Sequence, residues 1–290
     1  MGLKEYVDLL IQTAFTEDAS DRDVTTQAIV HPQDECEAHL LAKEPLTLAG
    51  LFVAEAAFKR LDKRLRFKAY FKDGDSVKKG AVIARVSGRC SCVLTAERVA
   101  LNFLQRLSGV ATATRRLAVE LKGTKTRLLD TRKTTPCLRL LERYAVRSGG
   151  GFNHRFGLSD EVLIKDNHIM AAGGVGEALA RVSGRYREGV LVEVEVTNLK
   201  EVREALAGHA DIILLDNMTI AMMRKAVKII NNAALVEASG GITVKNAAAI
   251  AATGVNFISS GAITHSARAV DISLEVASIS CGKRTRPKLR

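Results

Sequence analysis

From about Arg127 onward, short apolar runs alternate with stretches of helical spacing. The runs are RLLD (127–130), EVLIKD (161–166), VLVEVEV (190–196), DIILLD (211–216), ALVEAS (234–239) and NFISSG (256–261). Most are continuous rather than alternating, the pattern of strands buried on both faces of a parallel sheet. Between them, Leu138, Leu141, Tyr144 and Ala145 form a stripe at helical spacing, and AMMRKAVKII (221–230) and VKNAAAIAA (244–252) are further helical stretches. Pro136 suits the first position of the helix that carries the stripe. Repeated β-then-α units with short links predict an α/β parallel architecture. Six units are visible, two short of a full eight-stranded barrel. Periodicity alone leaves open a barrel or an open doubly wound sheet. The polar residues favour the barrel: Asp130 to Lys133, Lys165 to Asn167, Glu193 and Glu195, Asp216-Asn217, Ser239-Gly240-Gly241 and Ser260-Gly261 gather at strand C-terminal ends. In α/β barrels that face carries the active site.

The first part of the chain reads differently. Leu3, Tyr6, Val7, Leu10, Ile11 and Ala14 share one helix face, and residues 35–90 look β-rich around the helical FVAEAAFKRL (52–61). The segment KDGDSVKKGAVIARVSG (72–88) resembles the hairpins of lipoyl and biotinyl domains. It lacks their modified Lys at a tight tip, so it reads as a structural β-layer. A long helical stretch from Thr95 to Leu121 follows, with a candidate break at Ser108-Gly109. The expected division is an N-terminal domain over 1–112, a barrel over 113–268, and a C-terminal segment over 269–290 that packs on the N-terminal domain and ends in a basic tail.

Composition narrows the function. A 47% hydrophobic content supports a sizeable, mostly aliphatic core, since Trp is absent and aromatics make up 4%. No apolar stretch suits a membrane span. The start, MGLKEYVDLLIQTAF, has acidic residues among its apolar ones and lacks a signal-peptide pattern, so cytoplasm is expected. The cysteines, Cys36, Cys90, Cys92, Cys137 and Cys281, are odd in number, and Cys90-Ser91-Cys92 is C-x-C without a second pair, so ordinary reduced thiols are expected. The net charge of +11 admits nucleic acid, an anionic membrane surface or an acidic small molecule. Scarce aromatics argue against nucleic acid, and the tail Lys283 to Arg290 reads as a solvated charge run.

The other cations fall at special places. Arg132 and Lys133 end the first barrel strand; alone they read equally as a salt-bridged turn or a ligand site. Ser148-Gly149-Gly150-Gly151-Phe152-Asn153-His154-Arg155 then supplies a glycine-rich loop with an imidazole and a guanidinium. Ser159-Asp160 opens the next strand, which delivers Lys165. Convergence of Arg132, Lys133, His154, Arg155 and Lys165 on one mouth predicts a small, strongly acidic ligand. Glu195 and Asp216 end the third and fourth strands, where they could neutralise the cations, bind Mg²⁺ or sugar hydroxyls, or stabilise a developing cation. His154 and His168 lack compact metal-ligand spacing. Ser239-Gly240-Gly241 and Ser260-Gly261, each followed by a helix start, read as a phosphate site or as two tight βα turns.

DTRKTTPCLRLLERYAVRSGGGFNHRFGLSDEVLIKDNHI (130–169) resembles the signature stretch of quinolinate phosphoribosyltransferases. EVEV (193–196), LLDNM (214–218), EASGGI (237–242) and ISSGAITHS (258–266) resemble its later motifs in order, and TAERVALNFLQRLSGVAT (95–112) fits as well. The resemblance implies an α/β fold with an N-terminal α/β sandwich domain and an incomplete, six-stranded barrel. It implies a homodimer in which one subunit's N-terminal domain covers the other's barrel mouth. It implies a quinolinate site of Arg132, His154, Arg155 and Lys165, with Arg98 entering from the partner subunit. Lys133, Glu195, Asp216, Ser239, Gly240, Gly261 and His265 would serve phosphoribosyl pyrophosphate and its Mg²⁺, with Glu195 and Asp216 toward the metal and Lys133, Lys165, Glu195 and Asp216 taking catalytic parts. On helical spacing alone Arg98, Asn102 and Arg106 form a solvated stripe opposite Val99, Phe103, Leu104 and Leu107. Two positions depart from the pattern: Cys137 stands where Gly is expected, and Ser260 where a small apolar residue is more usual. The rivals are a related barrel associated with molybdenum transport and a nucleic-acid-binding protein; the complete basic set argues for quinolinate.

Overall fold

The computed structural model describes residues 2–185 and 189–281; the basic tail from Lys283 lies outside them. The chain forms two compact units: Met1–Thr112 with Leu140–Gly149 and Ala267–Arg290, and Ala113–Arg139 with Gly150–Ser266.

In the first unit, Glu35–Ala42 (β1), Arg66–Ala69 (β3), Val82–Arg89 (β5) and the near-terminal Ile272–Ser280 (β12) form an antiparallel sheet ordered β12-β1-β5-β3. Along β1, Cys36, Ala38, Leu40 and Ala42 are buried and their neighbours are not, so only one face meets the core. Among the described residues the short Leu46–Thr47 (β2) and Ser76–Val77 (β4) pair only with each other. The turn-rich stretch 72–88 therefore sends its two strands to different sheets and is not a self-paired hairpin.

The helix Cys90–Glu120 runs unbroken through Ser108-Gly109. A Cβ at Gly109 would stand 2.1 Å from the Arg268 carbonyl oxygen, so glycine serves close backbone approach here. Ser108 Oγ accepts from the Ala49 N–H at 3.1 Å and Thr112 Oγ1 from the Thr47 N–H at 2.8 Å. Val99, Leu104 and Leu107 are buried as the pattern predicts. Arg106 departs from the expected solvated stripe: it pairs at 2.6 Å with Glu142, which is wholly buried, because a buried carboxylate requires a partner.

In the second unit, Arg127–Leu129 (β6), Val162–Ile164 (β7), Val192–Val196 (β8), Ile212–Asp216 (β9), Leu235–Ser239 (β10) and Phe257–Ser259 (β11) form one parallel sheet ordered β6-β11-β10-β9-β8-β7. Strands β7 to β11 are neighbours in chain order, and the first strand returns to pair with the last. A doubly wound sheet reverses its order part-way; this order is that of a barrel with one seam open. Among the described residues no ladder joins β6 to β7, and Phe152 bridges to Leu129 beside β6.

The helix after β6 starts later than expected, at Arg139, because Pro136 lies in a turn and Cys137 adopts a left-handed φ of +61°. That conformation favours glycine, the residue expected there, and costs about 1–2 kcal/mol for another L-residue. From Leu140 this helix belongs to the first unit, where the Tyr144 hydroxyl donates to Asp73 at 2.7 Å and its ring meets Phe52 edge-on at 5.0 Å. Among the described residues no helix is long and apolar enough to cross a membrane.

Candidate active site

Barrel register decides which side chains meet. In parallel strands, residues in register point to one side. Ile164 is level with Val194, so Lys165 and Glu195 fall level one residue on. Lys165 Nζ donates to Glu195 Oε2 at 3.1 Å, with the lysine side chain 44% exposed. Asp216 is level with Ser239 on the neighbouring strand and accepts from Asn217 Nδ2 at 2.9 Å. Two carboxylates, a lysine and a serine thus line one end of the barrel interior.

The glycine-rich segment is held by Asp130, which directly follows β6 and is wholly buried. Its carboxylate accepts from Asn153 Nδ2 at 2.6 Å and from the His154 N–H at 2.8 Å. Arg155 is buried and donates to the Glu161 carbonyl at 3.1 Å. Burial first, and then the Arg132 charge, push the Arg155 guanidinium below its ordinary range, while Glu193, Glu161 and Asp160 pull the other way. Arg132 Nε is buried with no hydrogen-bond partner among the described residues. The two guanidiniums are thus near enough to repel each other, a charge pattern that an anion would relieve. Asp160 does not open the next strand, as expected; its carboxylate instead accepts from the Phe156 and Gly157 N–H groups and closes the loop that carries Arg155.

A second cluster forms after β11. A Cβ on Gly261 would lie 2.9 Å from the His265 ring and 3.0 Å from Lys133 Cδ, so these three residues are in contact. The Thr264 hydroxyl donates to the Lys133 carbonyl at 2.8 Å and ties that loop in place. The other departure, Ser260, is buried, and its N–H donates to the Leu129 carbonyl at 3.1 Å, so the backbone rather than the side chain joins β6. The loop after β10 differs from expectation: the next helix is Ala247–Ala251, so Ser239-Gly240-Gly241 is not itself a helix start. Gly240 and Gly241 are both left-handed, at φ +90° and +62°, and a Cβ on Gly240 would stand 2.1 Å from Asn217 Oδ1. The loop's form comes from glycine, and any phosphate would meet backbone here rather than a helix end.

Arg98 is not among the residues that the second unit assembles. It lies in the first unit, its side chain 57% exposed, 4.0 Å from Glu97.

Family-model comparison matches residues 110–275 to "Quinolinate phosphoribosyl transferase, C-terminal domain" and residues 23–108 to the corresponding N-terminal domain. The chain belongs to the quinolinate phosphoribosyltransferase family. It is 44% identical over 267 residues to the "Probable nicotinate-nucleotide pyrophosphorylase [carboxylating]" of Bacillus subtilis (strain 168), covering 92% of each chain. It is 43% identical to "Quinolinate phosphoribosyltransferase [decarboxylating] 2a, mitochondrial" of Nicotiana tabacum, covering 96% of this chain and 85% of the relative. The crystal structure of NadC from Streptococcus pyogenes superposes with a TM-score of 0.90 at 40% identity, covering 94% of this chain and 96% of that one.

Sequence reasoning named Glu193 only as a strand-end residue beside Glu195, and gave Glu237 no part. Glu193 and Glu237 are buried in the barrel interior, two residues before Glu195 and Ser239 on their strands. Glu193 Oε2 lies 3.1 Å and Glu237 Oε2 3.6 Å from His154 Nε2, and Glu161 lies 3.8 Å from Nδ1. Burial opposes a charge on the His154 ring, but Glu193, Glu237 and Glu161 outweigh it and raise its pKa to about 9. Burial, and then the Glu193 charge, hold the Glu237 carboxyl above the usual carboxylate range, against the opposing pull of His154. The available signal was a glutamate inside each of two otherwise apolar strands, VEVEV and LVEAS.

Proposed function

We propose that this chain transfers the phosphoribosyl group of phosphoribosyl pyrophosphate to quinolinate, with loss of CO₂, to give nicotinate mononucleotide and pyrophosphate. The observation that carries the reading is the Arg132–Arg155 pair, with its orphaned Nε, at the end of a barrel that also presents Lys165. A planar diacid satisfies such a set bidentately, where a monoacid leaves cations uncompensated. Arg132, His154, Arg155 and Lys165 then bind quinolinate, and Arg98 of a second subunit adds a further cation in a homodimer. Lys133, Ser239, Gly240, Gly261 and His265 take the phosphoribosyl part. Family membership and the named relatives favour this reading over the molybdenum-associated barrel and over nucleic-acid binding.

The chemistry follows from the charges. When the C1–oxygen bond of the ribose breaks, pyrophosphate takes the electron pair and positive charge grows on the sugar. Glu195 and Asp216 stabilise that charge, as carboxylates do at glycosidic centres. The pyridine nitrogen attacks C1 and becomes cationic. The bond between the ring and the adjacent carboxylate then breaks, CO₂ leaves, and the electron pair stays on the ring carbon, which takes up a proton. Lys165, 3.1 Å from Glu195, links the diacid end of the pocket to the sugar end. Mg²⁺ ordinarily takes one or two carboxylates together with substrate phosphates, and the Glu195 and Asp216 donor set fits that preference. When bound, it neutralises charge on the departing pyrophosphate.

Pyrophosphate release by the purified chain, with quinolinate or nicotinate as acceptor, tests the reading. Quinolinate-dependent release with little from nicotinate is expected; equal turnover of nicotinate overturns it.

A further inference from the structure

Two residues before Glu195 and Ser239 on their strands, two glutamates with side chains 1% exposed face one imidazole in the barrel interior. Among the described residues none of the four oxygens of Glu193 and Glu237 meets a donor in good hydrogen-bonding geometry; the nearest are the Ser259 side chain beside Glu237 and the His154 ring, 3.1 Å from Glu193. Buried carboxylates left in this way are costly, and the nearest compensating group is the His154 ring. We infer that Glu193 and Glu237 are positioning residues: together they form a buried counter-charge that fixes the His154 ring and keeps it cationic beneath the bound diacid.

The groups facing His154 come from five places. Glu193 faces it from β8 and Glu237 from β10. Glu161 faces it from the loop before β7, and Asp130 at the end of β6 holds its backbone. From its own loop, the Arg155 N–H approaches Nδ1 at 2.7 Å, with the Arg155 guanidinium and then Arg132 beyond. The amide contact favours a bare Nδ1 and hence a neutral ring. The three carboxylates, all within 4 Å of a ring nitrogen, favour the charged ring. Glu193, the nearest at 3.1 Å, carries most of that charge, since Glu237 is itself held above the usual carboxylate range. A full charge at that distance outweighs one amide dipole in a buried setting. The direction of the ring's pKa agrees with this weighing.

A metal ion is the other occupant this cluster could suggest, since His154, Glu161 and Glu193 can offer ligand atoms within 4.8 Å of one another. Arg155 and Arg132 beside them repel a divalent cation, whereas a proton on the ring adds a single charge already balanced by the glutamates. The consequence for function rests on the quinolinate reading. A ring kept cationic brings two N–H donors and a full positive charge to a bound carboxylate throughout the neutral range, whereas a neutral ring brings one N–H and no charge.

The test is a pH titration of the histidine ring nitrogens by NMR on the ¹⁵N-histidine-labelled whole chain without substrate, with His154 assigned by its substitution. The parent, Glu193→Gln, Glu237→Gln and the double variant are compared, alongside steady-state kinetics. In the parent, His154 should remain imidazolium to a midpoint near pH 9. The midpoint should fall by about one to three pH units when the counter-charge is removed, most in the double variant. The quinolinate KM should rise about 10- to 100-fold at neutral pH, as expected for a lost charge-assisted bond, while the phosphoribosyl pyrophosphate KM changes much less. A parent ring that is neutral at pH 7, with its proton on Nε2, overturns the inference without any variant. So does an unchanged midpoint in the folded double variant. A parent that shows the high midpoint but does not turn over quinolinate would overturn the assigned activity and leave the counter-charge standing.

Discussion

Lys165→Ala separates structure from function at this site. The Lys165–Glu195 contact is short, at 3.1 Å, but the lysine side chain is 44% exposed and the glutamate 16%. Removing such a partly solvated pair costs about 0.2–1 kcal/mol of stability. Lys165 is also the residue just before the helix Asp166–Ala172, but the contact made there is its backbone N–H to His168 Nδ1 at 3.0 Å, which alanine keeps. The melting temperature should therefore fall by no more than about 4 °C. The effect on turnover should be much larger. If Nζ meets a quinolinate carboxylate, the variant loses one partner of a desolvated charge pair, at about 2–5 kcal/mol. That corresponds to a loss in kcat/KM of roughly 30- to 4,000-fold, at tenfold per 1.4 kcal/mol. Thermal melts and pyrophosphate release on the same preparation give both readings. A folded variant with near-normal quinolinate turnover would refute the placement of Lys165 in the site. A collapse of stability would refute the claim that the ion pair is a minor structural contact.

Gly240→Ala meets Asn217 Oδ1 at 2.1 Å and strains a φ of +90°, so the phosphoribosyl pyrophosphate KM should rise at least about tenfold, with strain of about 1–2 kcal/mol on the fold; an unchanged KM would remove this loop from the sugar-phosphate site. Mixing inactive Arg98→Ala with inactive Lys165→Ala should restore about half activity per hybrid dimer, because one of its two sites is intact; hybrids verified as formed but still inactive would show that Arg98 does not act across an interface. His154, raised to about 9, contributes stability that is fully present below its unfolded pKa near 6.5 and is lost as pH rises through 9. The raised Glu237 carboxyl acts in the same direction above the carboxylate range. Melting temperature should accordingly decline between pH 6.5 and 9 and flatten in the Glu193→Gln, Glu237→Gln double variant; an equally steep decline there would count against the cluster as its source.

The barrel was legible because its strands are short, apolar and continuous, and because their polar residues gather at one end. The positions of two of the expected basic residues could be read the same way: Lys165 follows directly on β7, and Arg132 lies three residues after β6. Non-local pairing was harder to read. Turn signals in 72–88 mark where the chain bends but not that β4 joins β2 while β5 joins β1 and β3. Arg106 looked solvated because its partner, Glu142, is 36 residues away in the chain. The late helix start after Pro136 was hidden because the left-handed residue is Cys137 rather than a glycine. Ser108-Gly109 misled in the opposite way, since glycine there serves close packing inside a continuous helix. The Glu193–Glu237–His154 cluster was missed because a glutamate in a barrel strand reads as exposed until register turns it inward.

In the proposed reaction one site both forms the glycosidic bond and removes the carboxylate beside the ring nitrogen. Quinolinate carrying a ¹⁴C label in that carboxylate tests it directly, with released CO₂ and pyrophosphate counted in one reaction. Labelled CO₂ and pyrophosphate are expected in equal amounts, both dependent on phosphoribosyl pyrophosphate. Pyrophosphate released without labelled CO₂, or no quinolinate-dependent release of either, would contradict it.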